Sequence, residues 1–274
     1  MQRPACATQQ RGTMHMEANQ ARVICVTNQK GGVGKSTTAE ALAGGLTIKG
    51  YKTLLVDMDP QGSITLTAGA DTGRPTTYEV MTRATSTQEA TQEIKDRADV
   101  IPASQQLIRL DVELMATGKE YRLKEQLTPV LTRYDFIIID TPPALGLLTV
   151  NAMTAADALL IPAQADVYSL QGIGQLTDTI DAIRAYTNPS LTLAGILLTR
   201  HNARSILSRD MAAVAGSTAA LIGTFLYHTV IRETVTIKEA QAHRKPIYEY
   251  APKSNAVADY TAFTSEFLKR NIKS

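Results

Sequence analysis

At 274 residues and 29.6 kDa the chain can bury a sizeable core unaided, which excludes small scaffolds held together by disulfides or a metal. Hydrophobic residues make up 44% and charged residues 20%, average globular usage that excludes wholesale disorder and fibrous repeats. The formal net charge of +2 is unevenly spread: residues 1–194 carry 17 basic and 20 acidic side chains and residues 195–274 carry 11 and 6, the mark of either an anionic partner or a mixed solvated surface.

Cys6 and Cys25 lie apart with no CxxC partner, so neither a disulfide framework nor a cysteine-rich metal site is expected, and a cytoplasmic setting fits. No run approaches the roughly 18–20 apolar residues of a membrane span, and the start has no apolar stretch of signal-peptide length. No membrane partner is expected.

In chain order, residues 1–20 are polar and aperiodic and read as a disordered tail. From Arg22 onward, seven apolar runs of strand length alternate with helical patterns: RVICVT, KTLLVDMD, ADVIPA, YDFIIID, ADALLIPA, LTLAGILLT and LIGTFLY. The alternation predicts an α/β fold, a doubly wound, mostly parallel sheet with helices on both faces, forming a single domain over 21–274. Helices are expected at 36–49, 107–132, 170–187, 206–220 and 255–272, with an irregular insertion at 71–96 holding a short helix near 77–83. The inner runs are continuous Val, Ile and Leu, as strands covered on both faces require.

Directly after the first run comes Gln29-Lys30-Gly31-Gly32-Val33-Gly34-Lys35-Ser36-Thr37, followed by an Ala- and Leu-rich helix. Glycines let the backbone curl so that its N–H groups converge on phosphate oxygens, the helix N-terminus adds positive partial charge, and Lys35 reaches the β- and γ-phosphates. Ser36 is placed to ligate Mg2+, with Thr37 near the α-phosphate. The expected ligand is therefore a nucleoside triphosphate with Mg2+, bound by residues 30–37.

Two further runs deliver carboxylates to strand ends, where ligands bind in open α/β sheets. Asp140 ends FIIID and suits a metal-water ligand; Asp57 and Asp59 lie in LLVDMDPQGS, Asp59 to position the attacking water and Asp57 to support loop or metal. A lone strand-end Asp is commonly a turn cap, but three beside a phosphate loop point to the site.

The form KGGVGKST, with Gln29 where the ordinary GxxxxGK[ST] pattern has glycine, resembles the deviant Walker A motif of the ParA and MinD superfamily of ATPases. Together with LLVDMDPQGS, YDFIIIDTPPALGLLTVNAMTAAD and SLQGIGQL, the resemblance to the ParA (Soj-like) partition ATPases covers roughly residues 22–270. It implies an ATP-dependent homodimer in which Lys30 reaches the partner's nucleotide. It also implies binding to double-stranded DNA without sequence preference, association with the nucleoid, and hydrolysis stimulated by a ParB-like centromere-binding protein. Lys30, Lys35 and Asp59 are then the catalytic set. Ser63 stands where that family's DPQGN has Asn, and IRETVTIKEAQ stands where it has IPRNVRLSEAP, so those arginines are not retained in place.

Arg200, Arg204, Arg232 and Lys238 are the candidate DNA contacts, within a basic C-terminal third that lacks interleaved aromatic residues and so suits phosphate contacts over base reading. Solvated helix faces are the alternative reading of each. The same loop serves other relatives. A MinD-like cell-division regulator would call for a basic amphipathic membrane helix where this chain ends DYTAFTSEFLKRNIKS, and a ParA-like positioning ATPase for a protein cargo shares nearly all the motifs.

Overall fold

The computed structural model describes residues 20–202 and 205–272. The expected tail, apart from Gln20, and Arg204 lie outside the described residues. The elements begin with β1 (Arg22–Val26), α1 (Lys35–Ile48), β2 (Thr53–Asp57), α2 (Ser63–Ala68), α3 (Thr77–Thr82), α4 (Thr87–Ala90) and β3 (Asp99–Ile101). They continue with α5 (Leu110–Glu113), α6 (Arg122–Leu127), β4 (Phe136–Asp140), α7 (Leu147–Ala155), β5 (Ala158–Gln164), α8 (Val167–Tyr186) and β6 (Thr192–Thr199). The last are α9 (Ile206–Leu221), α10 (Val235–Ala242), α11 (Ile247–Tyr250) and α12 (Asn255–Asn271).

The six strands form one parallel sheet in the order β3-β2-β4-β1-β5-β6. Each strand buries both faces. Val23 and Cys25 of β1 point into a core shared with α6, α7 and α8, while Ile24 and Val26 point into a second core shared with α1 and α12. Helix α1, which follows β1, covers one face of the sheet and α7, which follows β4, covers the other, so the loops after these two neighbouring strands part to opposite faces and open a crevice at their C-terminal ends.

Two expectations are corrected. The seventh run is not a strand of the sheet, because α9 continues to Leu221 and Gly223, at φ +73°, turns the chain. Only its end pairs with β6, where Ile196 donates to the Phe225 carbonyl and Tyr227 donates to that of Ile196, both at 2.9 Å. The single helix expected over 107–132 is instead α5 and α6 with short 3-10 turns around them. Gly118, at φ +82°, breaks it, and the buried leucines fall into two groups at helical spacing on either side, Leu107, Leu110 and Leu114 before it and Leu123 and Leu127 after it. The short helix expected in the insertion is α3, closed by a capping box between Thr76 and Glu79.

Gly195 sits at φ +118° where β5 and β6 shift register, and a Cβ there would lie 2.7 Å from Tyr227 and 2.8 Å from Phe225. Gly195→Ala combines backbone strain with overpacking and is expected to cost about 2–4 kcal/mol. A lower denaturant midpoint at unchanged slope checks this; an unchanged midpoint would show that the two rings move aside freely.

Candidate active site

The sheet register sets the site. Val26 pairs with Asp140, and Asp140 pairs with Asp57, so the last residues of three adjacent strands lie side by side at the mouth of the crevice. The loop from Thr27 to Gly34 leaves β1 here, with Gly32 and Gly34 at φ +75° and +86°, backbone that residues with a Cβ rarely adopt. Gln164 donates to the Gly32 carbonyl at 3.0 Å and Thr199 to that of Val33 at 2.7 Å. These bonds tie two carbonyls of the loop to the ends of β5 and β6. Asn28 anchors the loop, donating to the Pro162 carbonyl at 2.8 Å and accepting from the Lys30 amide at 3.0 Å.

Helix α1 starts at Lys35 after a left-handed Gly34, with no side-chain cap and no acidic residue in its first turn. Its first amides therefore await an anion, as in phosphate-binding helices. Lys35 is buried, and its ammonium donates to the Lys30 carbonyl at 3.1 Å. Burial lowers its pKa, against the opposing pull of Asp140 and Asp59. A polyanion would relieve that cost directly.

The carboxylates differ in their surroundings. Asp57 is wholly buried and accepts from the Thr65 hydroxyl at 2.7 Å, the Thr65 amide at 2.9 Å and the Asp59 amide at 3.1 Å. Burial nonetheless pushes its pKa up. Asp140 is equally buried, and neither of its carboxyl oxygens has a hydrogen-bond partner among the described residues. Burial and then Asp57 push its pKa well up, with Ser36 and Lys35 pulling the other way. An orphaned buried carboxyl beside the Ser36 hydroxyl fits a divalent cation held through water, the habit of Mg2+ bound mostly by substrate phosphates. Among the described residues no group of three His, Cys, Asp or Glu is arranged to hold a metal alone.

Asp59 closes the crevice from the β2 side, its carboxyl accepting from the Gln61 amide at 3.0 Å. It lines one cavity with Gly31, Gly32, Lys35, Ser36, Thr37 and Pro143. Lys30 is paired within its own chain: its ammonium meets the Asp166 carboxylate at 2.6 and 2.8 Å, where Asp166 also caps α8. Burial would raise the Asp166 pKa, but the Lys30 and Ser169 hydrogen bonds outweigh it and hold the carboxyl below its usual range.

Three of the candidate DNA contacts lie at this site. Arg200, Arg232 and Lys238 line the far wall of the same cavity, facing the phosphate loop. Arg232 is engaged by Asp259 through contacts of 2.6 and 2.9 Å, and Arg200 by Glu233 at 3.4 Å. Residues 231–233 reach that wall by pairing with His201, beyond the end of β6. Sequence reading missed Gln164, Thr199 and Asp166, and also Gln241, which donates to the Thr37 hydroxyl at 3.1 Å. They carry no motif, and only the converging strand ends bring them in.

A glycine loop between a parallel strand and a helix, with carboxylates at the ends of neighbouring strands, defines a P-loop nucleotide-binding protein. The family model described as AAA domain matches residues 21–193. The chain is 40% identical to the chromosome partitioning protein ParA of Myxococcus xanthus over 93% of its own length and 90% of the relative's. It is 38% identical to the sporulation initiation inhibitor protein Soj of Bacillus subtilis, over 89% and 97%. A cobyrinic acid a,c-diamide synthase from Mycobacterium smegmatis, solved with bound ADP and magnesium, superposes with a TM-score of 0.79 at 32% identity, covering 91% of this chain and 94% of that one. The chain belongs to the ParA/Soj family of partition ATPases.

Proposed function

We propose that the chain binds ATP with Mg2+, dimerises on it, holds DNA without sequence preference and hydrolyses ATP when a ParB-like partner stimulates it. The observation that carries this reading is the phosphate loop, with buried Lys35 and the orphaned Asp140 on the strand beside it. The loop amides and the start of α1 bind and orient the phosphates. Lys35 offsets charge gathering on the β,γ-bridge and γ-oxygens, an electrostatic effect strengthened by its burial. Ser36, with Asp140 and Asp57 behind it, would hold Mg2+, which supplies further charge neutralisation when bound. Asp59 orients the attacking water from the open side.

Lys30 is the group assigned to the partner's nucleotide. Its pair with Asp166 is partly exposed, side chains 28% and 33% accessible, so exchanging that carboxylate for a phosphate costs little. A two-subunit site of this kind keeps the isolated chain slow. Arg200, Arg232 and Lys238, placed on the cavity wall, would couple any DNA contact to nucleotide occupancy. The cytoplasm, on the nucleoid, is the setting this implies.

The test is binding to duplex DNA of arbitrary sequence at fixed low salt with ATP, with ADP and with no nucleotide. Tight binding with ATP alone, falling steeply with added salt through counterion release, is the expected result. Equal or absent binding in all three states would overturn the DNA reading and favour a protein cargo.

A further inference from the structure

Helix α2 follows the Asp59 loop directly, with the Gly62 amide donating to the Asp59 carbonyl at 2.8 Å and the Leu66 amide to that of Gly62 at 2.9 Å. It spans only Ser63–Ala68 and has no side-chain cap. So short a helix takes its position from what grips it. From the sheet side, Asp57 of β2 holds it through Thr65. From the other side comes a carboxylate the phosphate loop does not use: Glu40, on α1, accepts from the Thr67 hydroxyl at 2.5 Å. At its end, the Ala68 carbonyl accepts from Arg97, which itself pairs with Glu249 of α11.

We propose that Glu40, acting through Thr67, is a positioning residue that sets the placement of α2 and hence of the Asp59 loop. The inference rests on the role given to Asp59 above.

The Thr67 hydroxyl has one proton and three acceptors in reach: Glu40, the Ser63 carbonyl at 3.2 Å and the Ile64 carbonyl at 3.1 Å. An ionised Glu40 only accepts, so it takes that proton in a charge-assisted bond that ties α2 to α1. A protonated Glu40 donates to the Thr67 oxygen instead. The Thr67 proton then returns to its own helix, and the tie between helices weakens to a neutral bond. Burial pushes the Glu40 pKa up to about 7, reinforced by Asp57 and Glu249 and opposed by Thr67 and Arg97, which are the groups facing it from β2, α11, α2 and the turn before β3. Both patterns are therefore populated near neutral pH. Because the folded pKa is raised, Glu40 favours the folded state below about pH 4.5 and loses that contribution as pH rises through about 7. At the Thr67 bond itself the same rise replaces a neutral bond by a charge-assisted one.

Two readouts test this in the full chain. The first is amide hydrogen exchange over α2, corrected for the intrinsic pH dependence, from pH 6 to 8. Protection in the wild type is expected to rise roughly three- to tenfold, the scale on which a charge-assisted bond exceeds a neutral one. Glu40→Gln, which mimics the protonated form, should stay flat at the low-pH level; Thr67→Val should also be flat, and Thr67→Ser, which keeps the hydroxyl, should restore the rise. The second is the ATPase pH profile, where kcat should follow the same step with KM unchanged and Glu40→Gln should lose it. Should Glu40→Gln keep the wild-type step in exchange, the latch is overturned and Asp57 is the group that titrates. A flat exchange profile in Glu40→Gln with an unaltered kcat profile would overturn the positioning role. A wild type that does not hydrolyse ATP would sink the ATPase reading, with the exchange arm still deciding the latch.

Discussion

Lys35→Ala is expected to weaken ATP binding at least 10²-fold, since a charged hydrogen bond in a buried site is worth about 1.5–3 kcal/mol and this ammonium serves more than one phosphate oxygen. The surroundings enlarge the effect. Asp140 and Asp57 are wholly buried and Asp59 nearly so, and Lys35 is the buried cation among them. Without it, a polyanion would enter a cluster of carboxyl groups with only amides and dipoles to receive it. The fold should survive, because burial disfavours the charged ammonium and alanine removes that cost. Titration with a fluorescent ATP analogue, alongside circular dichroism to confirm folding, measures the loss. An affinity within threefold of wild type would show that the loop amides alone carry the binding.

Asp59→Ala is expected to reduce hydrolysis roughly 10²–10⁴-fold while leaving ATP affinity within a few-fold, the range typical of removing a positioned acid–base or water-orienting group. The reason lies in its placement. Asp57 is consumed by Thr65 and the Asp59 amide, and Asp140 is wholly buried at the end of β4. Asp59 lines the cavity itself, held by the Gln61 amide at 3.0 Å, so it is the carboxylate of the three that a water attacking the γ-phosphate can meet. Single-turnover hydrolysis with preloaded ATP separates this step from binding and product release. A rate equal to wild type would remove Asp59 from the chemistry, and a large loss of affinity would make it a ligand of the phosphates or metal.

Much of this arrangement was legible in the residues. Gly32 and Gly34 are glycines because the backbone there has positive φ, and the run VICVTNQKGGVGKST states both the turn and the helix it opens. The helix expected over 107–132 ends early because Gly118 takes a positive φ, and Leu107, Leu110 and Leu114 before the break and Leu123 and Leu127 after it are buried as two separate segments. The LIGTFLY run also misled. Leu221 ends α9 exposed to solvent, and only the end of the run packs along β6, so its hydrophobic character did not report a strand.

By itself, the sequence determined the α/β alternation, the phosphate loop and the three strand-end aspartates, because turn geometry and helix or strand patterning depend on neighbours in the chain. What only the tertiary structure decided is which of these groups meet. The strand order places Asp57 and Asp140 side by side, and the pairing of Lys30 with Asp166 closes a separation of 136 residues. It likewise turns Arg200 and Arg232 onto the cavity wall, and brings Glu40 against Thr67. Each of these depends on how two buried sheet faces are covered at once, a condition that no local stretch of chain expresses.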